Sequence, residues 1–160
     1  MPAGYFAYGS NMAESIMADW CGAHRFVGPA RLDGFALVFL RDSVRWKAGA
    51  ADVVPQPESV VWGALYELPE EDLAALDRKE FHGSGYQRRE VEVVVNGAGR
   101  RPAVTYEVIE KAPRELVPKL EYLDLLVAGA RERGLPGDYV EWLEALPERF
   151  SLKRPEPPAG

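Results

Sequence analysis

The stretch YFAYGSNM, residues 5–12, builds the first strand of the fold and breaks it abruptly at Gly9. Its apolar, aromatic first half predicts a short buried strand over residues 4–8. Ser10 or Asn11 can cap a helix that we predict over residues 12–20. Such a turn presents backbone N–H groups that can bind a carboxylate, a phosphate or a developing oxyanion, and Gly9 lets a ligand come close. The alternative is an ordinary strand-to-helix turn with a good cap.

The length and composition are those of a soluble globular protein with one domain. The chain has 160 residues, of which 47% are hydrophobic and 28% are charged. A chain of this size can bury a hydrophobic core without disulfides or metals to hold it together. We therefore predict a single domain over residues 1–150, followed by a Pro-rich, frayed tail over residues 151–160.

Charge and cysteine content exclude several classes of protein. The net charge is -6 and no Lys/Arg-rich run exists, so no nucleic-acid partner is expected. No apolar run approaches the roughly 20 residues that cross a bilayer, so no membrane association is expected. The single cysteine, Cys21, together with the lack of a secretory signal, predicts a reducing, cytoplasmic location. The two histidines, His24 and His82, lack ligand spacing, so no metal site is predicted.

Hydrophobic alternation predicts an α+β fold, a small mixed β-barrel or sheet of about six strands with flanking helices. The predicted strands are residues 4–8, 25–40, 50–54, 59–68, 86–95 and 102–109. Residues 41–49 are predicted to form a loop, Pro55-Gln56-Pro57 separates two strands, and Asn96-Gly97 begins a hairpin turn. The predicted helices are residues 12–20, 69 to about 80, 118–133 and 136–146.

The helix that begins at Pro69 carries a carboxylate on its apolar face. Leu73, Leu76 and Glu80 are spaced by three and four residues, so they form one stripe at 100° per residue. A carboxylate that points into a core is a candidate general base. The alternative is that the helix has already ended and that Glu80 is a solvated C-terminal residue.

A glycine-rich segment, FHGSGY, follows Glu80 and can form the rim of a site. Tyr86 and Tyr106, on the predicted hairpin, either offer hydroxyl groups to a ligand or pack in the core. His82 is predicted to lie in the loop, because sequence neighbours do not face each other on a helix. Cys21 has no cationic group nearby in sequence and is predicted to be an inert, half-buried thiol.

The segments YFAYGSNM and LDRKEFHGSGY together resemble the γ-glutamylcyclotransferase family. Further segments also resemble sequences of this family, in the same order along the chain: ARLDGFALVF, GAADVV, VWGALYEL, TYEV and RERGLPGDYVEWLEAL. The resemblance runs to about residue 146. It implies an enzyme that cyclises a γ-glutamyl group to 5-oxoproline and releases an amino acid or amine, without metal or cofactor. It also implies a small mixed barrel with flanking helices.

The resemblance assigns roles to particular residues. Glu80 matches the catalytic glutamate, which acts as general acid and base. The implied substrate-binding residues are Tyr5, Phe6, Ala7, Tyr8, Gly9, Ser10, Asn11, Tyr86 and Tyr106. The loop after Glu80 is about one residue shorter than in the family, and Trp46-Lys47 stands where some members have Trp-His. The resemblance implies that both residues lie near the mouth of the cavity, where they bear on the identity of the leaving group.

The rival interpretations are a non-catalytic small-molecule binding module on the same scaffold and an amide hydrolase that uses water. The partner implied by the resemblance is a small γ-glutamyl compound. A homodimer is compatible with an exposed aromatic residue such as Trp142.

Overall fold

The computed structural model describes residues 3–95 and 99–154, without the side chains of residues 81–84. Five strands form a closed barrel in the order β1-β3-β2-β4-β5. Their bounds are β1 Ala3–Ala7, β2 Arg25–Ser43, β3 Ala48–Leu68, β4 Tyr86–Val95 and β5 Gly99–Val108. β1 runs antiparallel to β3 and closes the barrel by a parallel contact between Tyr5 and Val104 of β5.

The helices lie around this barrel. A short 3-10 helix, Ser10–Met12, precedes four further helices and a one-turn helix near the end. Their bounds are α1 Glu14–Trp20, α2 Glu70–Ser84, α3 Leu120–Glu132, α4 Gly137–Glu144 and α5 Leu146–Arg149. Within the described residues, none of these helices has the length and apolar character needed to cross a membrane.

The barrel has five strands rather than about six because the predicted break near Pro55 is a bulge. Asp33 pairs with Val60, whereas Phe35, two residues later, pairs with Pro55. Residues 56–59 therefore bulge out opposite Gly34, which has a positive φ of 78° within β2, and the strand continues on either side. Irregular, exposed places of this kind tolerate proline without ending a sheet.

The predicted loop over residues 41–49 is also wrong. β2 extends to Ser43 and β3 begins at Ala48, so only a tight turn separates the two strands. Lys47 adopts a positive φ of 55° in this turn. The polar residues of this segment form the exposed end of a hairpin, and β2 and β3 stay paired up to the turn.

The other boundaries are close to those predicted. α2 runs to Ser84, past the predicted end, so the segment around His82 is helical backbone and the prediction of a loop there is wrong. The predicted turn at residues 96–97 and most of the tail lie outside the described residues. Arg154, in the described part of the tail, forms an ion pair with Asp124 of α3.

The core fills the barrel and the space beneath α3. Its largest fully buried side chains include Tyr66, Phe6, Phe39, Met12, Met17, Leu32, Leu65, Leu73 and Leu76. α3 turns an apolar stripe to the core, with Leu123, Leu126 and Ala130 all buried. A Cβ added at Gly129 would lie 3.0 Å from Cβ of Met12, so glycine lets α3 pack closely on the 3-10 helix.

Candidate active site

A cavity of about 70 Å³ lies where the end of β1 meets α2 and the β2–β3 hairpin. Eight of the predicted site residues line it: Tyr5, Tyr8, Gly9, Ser10, Asn11, Glu80, Tyr86 and Tyr106. Phe6 and Ala7 do not line it. Phe6 is fully buried in the core, and Ala7 pairs with Ala64 of β3. Phe6 is turned to the face opposite Tyr5, because successive side chains of a strand alternate between the two faces.

Glu80 points inward from α2, as the leucine stripe predicts. Leu73, Leu76 and Glu80 are exposed to 1%, 0% and 9%. The helix continues beyond Glu80 to Ser84, so the interpretation of Glu80 as a solvated helix end is wrong. A buried carboxylate requires hydrogen-bond donors nearby, because burial without partners costs several kcal/mol.

Asn11 supplies such a donor and connects three segments of the chain. Its Nδ2 donates to Oε1 of Glu80 at 3.1 Å and to the hydroxyl of Tyr5 at 2.8 Å. The ammonium of Lys79 donates to Oδ1 of Asn11 at 2.5 Å. Because an ammonium can only donate, this bond fixes which end of the amide faces Glu80. Asn11 therefore positions the carboxylate at the cavity wall.

Lys79 also lies beside the carboxylate, with 3.6 Å between its Nζ and Oε1 of Glu80. Its side chain is only 8% exposed. Burial lowers the pKa of Lys79, and the neighbouring Glu80 carboxylate opposes that effect. The Glu80 carboxylate, the Asn11 amide and the Lys79 ammonium form one compact network on one wall of the cavity.

Tyrosine hydroxyls cover much of the remaining cavity wall. Tyr8 donates to the backbone carbonyl of Tyr106 at 2.5 Å, and Tyr86 donates to the carbonyl of Ala51 at 2.6 Å. Tyr106 donates its own hydroxyl proton to Asp77 at 2.7 Å. Burial raises the pKa of Tyr8, Tyr86 and Tyr106, so all three stay protonated at neutral pH. They shape the cavity while their protons remain bound to protein acceptors.

The loop that follows β1 forms a 3-10 turn. The N–H of Met12 donates to the carbonyl of Gly9 at 3.1 Å, which closes this turn. The first N–H groups of a helical turn have no partner within it, and here they belong to Ser10 and Asn11. The predicted anion-binding backbone is thus a 3-10 turn, with α1 beginning two residues after it at Glu14.

No metal centre is evident in the part of the chain that the structure describes. There, no group of three or more His, Cys, Asp and Glu side chains is arranged to hold a metal ion. Cys21 is fully buried. Burial, and then the nearby Asp72 carboxylate, raise the pKa of the Cys21 thiol to about 11. The thiol is therefore protonated and unreactive at neutral pH.

Comparison with known proteins identifies the family. A model of the AIG2-like family matches residues 60–143 of the chain. The γ-glutamylcyclotransferases of Homo sapiens and Mus musculus are each 32% identical to it over 149 residues, or 89% of this chain and 77% of the relative. The chain belongs to the γ-glutamylcyclotransferase family.

Solved structures agree with this assignment of the family. One named γ-glutamyl cyclotransferase matches with a TM-score of 0.84 and 26% identity, covering 100% of this chain and 93% of that one. A human structure matches with a TM-score of 0.83 and 29% identity, covering 99% and 92% of the two chains. The predicted α+β barrel and the family resemblance are therefore confirmed, with the strand number corrected to five.

Sequence reasoning missed part of the cavity wall in this γ-glutamylcyclotransferase family member. The missed lining residues are Arg41, Ser43, Arg45, Ala50, Ala51, Lys79 and Tyr122. Trp46, expected near the cavity mouth, does line the cavity, whereas Lys47 does not. The segment interpreted as a loop contained Arg41, Ser43 and Arg45, and Lys79 lay at the predicted helix end. Tyr122, whose hydroxyl accepts a hydrogen bond from the N–H of Ala51 at 2.9 Å, carries no signal in the sequence.

Proposed function

We propose that this chain is a γ-glutamylcyclotransferase that converts a γ-glutamyl group to 5-oxoproline and releases the attached amino acid or amine. The observation that carries the proposal is the position of Glu80. It is a buried carboxylate on the wall of a cavity that the YGSN loop also lines, and it accepts a hydrogen bond from Asn11. A general base must lie within hydrogen-bonding reach of the proton that it takes, and Glu80 lines the cavity that would hold the substrate.

Glu80 acts first as a base. The α-amine of the substrate is an ammonium at neutral pH and cannot attack a carbonyl until Glu80 takes one of its protons. The nitrogen lone pair then forms a bond to the γ-carbonyl carbon and closes a five-membered ring. Because both reacting groups belong to one molecule, the protein has only to hold the chain curled.

The tetrahedral intermediate carries a negative charge on the former carbonyl oxygen. Either the N–H groups of Ser10 and Asn11 stabilise that oxyanion, or they bind the α-carboxylate of the substrate. When the bond from the carbon to the departing nitrogen breaks, its electron pair stays with that nitrogen. Glu80 gives the first proton to that nitrogen. The ring nitrogen, which still carries two hydrogens after its attack, then loses its second proton by way of Glu80 to the departing amine. The amine leaves as an ammonium, the ring nitrogen keeps one hydrogen as a lactam, and Glu80 is again a carboxylate.

The reaction as proposed needs neither a metal nor a cofactor, because it involves one proton relay and no change of oxidation state. We place the protein in the cytoplasm, a setting in which its one thiol stays reduced.

We also propose a homodimer through the face that carries Val60 and Trp142, which are 43% and 41% exposed. Sedimentation of the wild-type chain and of Trp142→Ser tests the dimer.

Release of 5-oxoproline from a panel of γ-glutamyl amino acids and amines tests the activity, with Glu80→Gln measured in parallel. The wild-type chain should release 5-oxoproline, and Glu80→Gln should lose at least about a hundredfold in kcat, the low end for a general base. Glu71→Gln is the matched control, since Glu71 lies on the same helix but is exposed.

Two outcomes contradict the proposal. If no panel member yields 5-oxoproline while Glu80→Gln binds the compounds as well as the wild type does, the chain is a binding module. If free glutamate appears without 5-oxoproline, water is the nucleophile and the chain is an amide hydrolase.

A further inference from the structure

The charged groups around the cavity are unbalanced. Its lining includes three cationic side chains, Arg41, Arg45 and Lys79, and one carboxylate, Glu80. Lys79 is already engaged by Asn11 and Glu80. Within the described residues, no carboxylate lies within ion-pairing distance, 4.0 Å, of either arginine, although other arginines on the surface pair with acids. A chain with a net charge of -6 thus keeps two arginines uncompensated at its cavity.

One donor of Arg41 lacks an acceptor in the described part of the protein. Its Nε is buried and has no hydrogen-bond partner among the described groups. An unsatisfied buried donor is destabilising, and an acceptor on a ligand would remove that penalty. The side chain extends from the last part of β2, so its position follows from the strand pairing that continues past residue 40.

Gly85 gives this guanidinium its space. A Cβ added at Gly85 would lie 2.7 Å from Cζ and from Nη1 of Arg41. Gly85 also has a φ of 75°, which favours glycine as the residue that ends α2. The guanidinium therefore lies against the end of the helix that carries Glu80, next to Tyr86.

Arg45 lies at the turn of the same hairpin. It is exposed, and its Cζ is 5.9 Å from the ring centroid of Trp46, which also lines the cavity. An exposed cation contributes less to binding than a buried one, because water screens it. Arg41 is thus the stronger candidate of the two for holding an anion.

We propose that Arg41 is a specificity-determining residue that binds a carboxylate on the departing half of the substrate, with Arg45 as a weaker second contact. This inference rests on the proposed function. The γ-glutamyl half must place its amine at Glu80, beside Asn11 and the 3-10 turn. The arginines come from a different segment, the β2–β3 hairpin, and are free to bind the other half. A guanidinium fork matches a carboxylate and offers nothing to an uncharged alkyl amine.

The test compares two substrates that differ in one carboxylate, γ-glutamyl-alanine and γ-glutamyl-ethylamine. For the wild type we expect kcat/KM to favour the alanine compound by about tenfold to a hundredfold, the range of a charge-assisted hydrogen bond. Arg41→Gln should bring that ratio towards one. The loss should appear in KM, because the contact lies away from the reacting atoms. Arg45→Gln should lower the ratio by a smaller factor.

Two further variants serve as controls. Arg41→Lys keeps the charge without the fork and should retain part of the preference, which tests the role of the guanidinium if Arg41→Gln is poorly folded. Arg114→Gln replaces an exposed arginine away from the cavity lining and should leave both rates unchanged.

The inference is overturned if the wild type uses the two compounds equally well. It is also overturned if Arg41→Gln lowers kcat/KM for both by the same factor, since Arg41 would then serve the γ-glutamyl half or the fold. If neither compound yields 5-oxoproline, the proposed function fails separately. Calorimetry then compares binding of the two compounds to wild type and Arg41→Gln. Equal affinities overturn the role of Arg41, and a preference that Arg41→Gln removes supports it.

Discussion

Replacing Asn11 by leucine tests whether the network around Glu80 does what its geometry indicates. The Asn11 side chain is 6% exposed and takes part in three hydrogen bonds, two of them with the charged groups of Lys79 and Glu80. Each hydrogen bond to a charged group contributes about 1.5–3 kcal/mol. A closer contact between Lys79 and Glu80, now 3.6 Å apart, would recover part of this energy. We therefore expect a net loss of about 2–4 kcal/mol in the free energy of unfolding.

The effect on activity should be separable from the effect on stability. Without the amide between them, Lys79 is expected to pull Glu80 away from the cavity. A displacement of about 1 Å at a reacting group can cost about a hundredfold in rate. For a chain of this size, the predicted loss of stability corresponds to a fall in Tm of about 5–15 °C. Thermal unfolding gives the stability, and the turnover rate at saturating substrate, measured well below the lowered Tm, gives the activity independently.

Tyr5→Phe is the matched control for this experiment. It removes only the hydroxyl that accepts from Asn11 at 2.8 Å and leaves the bond from Asn11 to Glu80 in place. We expect it to cost about 1 kcal/mol in stability and to change the turnover rate by less than about a factor of ten. A folded Asn11→Leu variant that turns over within about threefold of the wild-type rate would refute the positioning role of Asn11.

Two further predictions concern stability. A Cβ at Gly63 would lie 2.4 Å from the carbonyl oxygen of Ala7, so Gly63→Ala should lower the free energy of unfolding by at least about 2 kcal/mol. Urea unfolding beside Gly22→Ala, where a Cβ meets nothing within 4 Å, checks this, and equal losses would contradict it. Burial lowers the pKa of His24, but hydrogen bonds to the Glu14 carboxylate and a backbone carbonyl raise it overall. This group therefore stabilises the fold fully below its unfolded pKa of about 6.5, and the contribution is lost as pH rises through the folded value. A stability difference between wild type and His24→Gln that stays constant from about pH 5.5 to about pH 8.5 would contradict the assignment.

The barrel was predictable from hydrophobic alternation, but the number of strands was not. Every segment predicted as strand is strand in the structure, apart from single residues at two of the ends. The error came from interpreting Pro55 and the polar residues after 40 as strand ends. Whether such residues end a strand or bulge from it depends on the partner strand, here the part of β2 around Gly34. A single sequence carries no record of that pairing.

In the site, too, features set by neighbouring residues were predictable, and contacts between distant segments were not. Glu80 was predictable because the helical period relates it directly to Leu73 and Leu76. That the chain turns after Tyr8 was predictable, because glycine, serine and asparagine favour turns. That the turn is a 3-10 helix with α1 starting only at Glu14 was not predicted. The contact of Lys79 with the site was not predictable, because the residue next to Glu80 on a helix is expected to point about 100° away from it. Its long side chain nonetheless reaches Asn11, which the sequence places 68 residues earlier.

The abrupt end of the first strand follows from what the site requires. Tyr5 stays in the strand, while Asn11, six residues later, must return to within hydrogen-bonding distance of the Tyr5 hydroxyl and of Glu80. A continued strand rises about 3.3 Å per residue and would carry Asn11 about 20 Å away. A 3-10 turn brings the side chain back, and its first N–H groups, those of Ser10 and Asn11, have no partner within the turn. The close packing of α3 at Gly129 then holds that turn in place. The break in the strand therefore places Asn11 where it can hold the Glu80 carboxylate at the cavity wall.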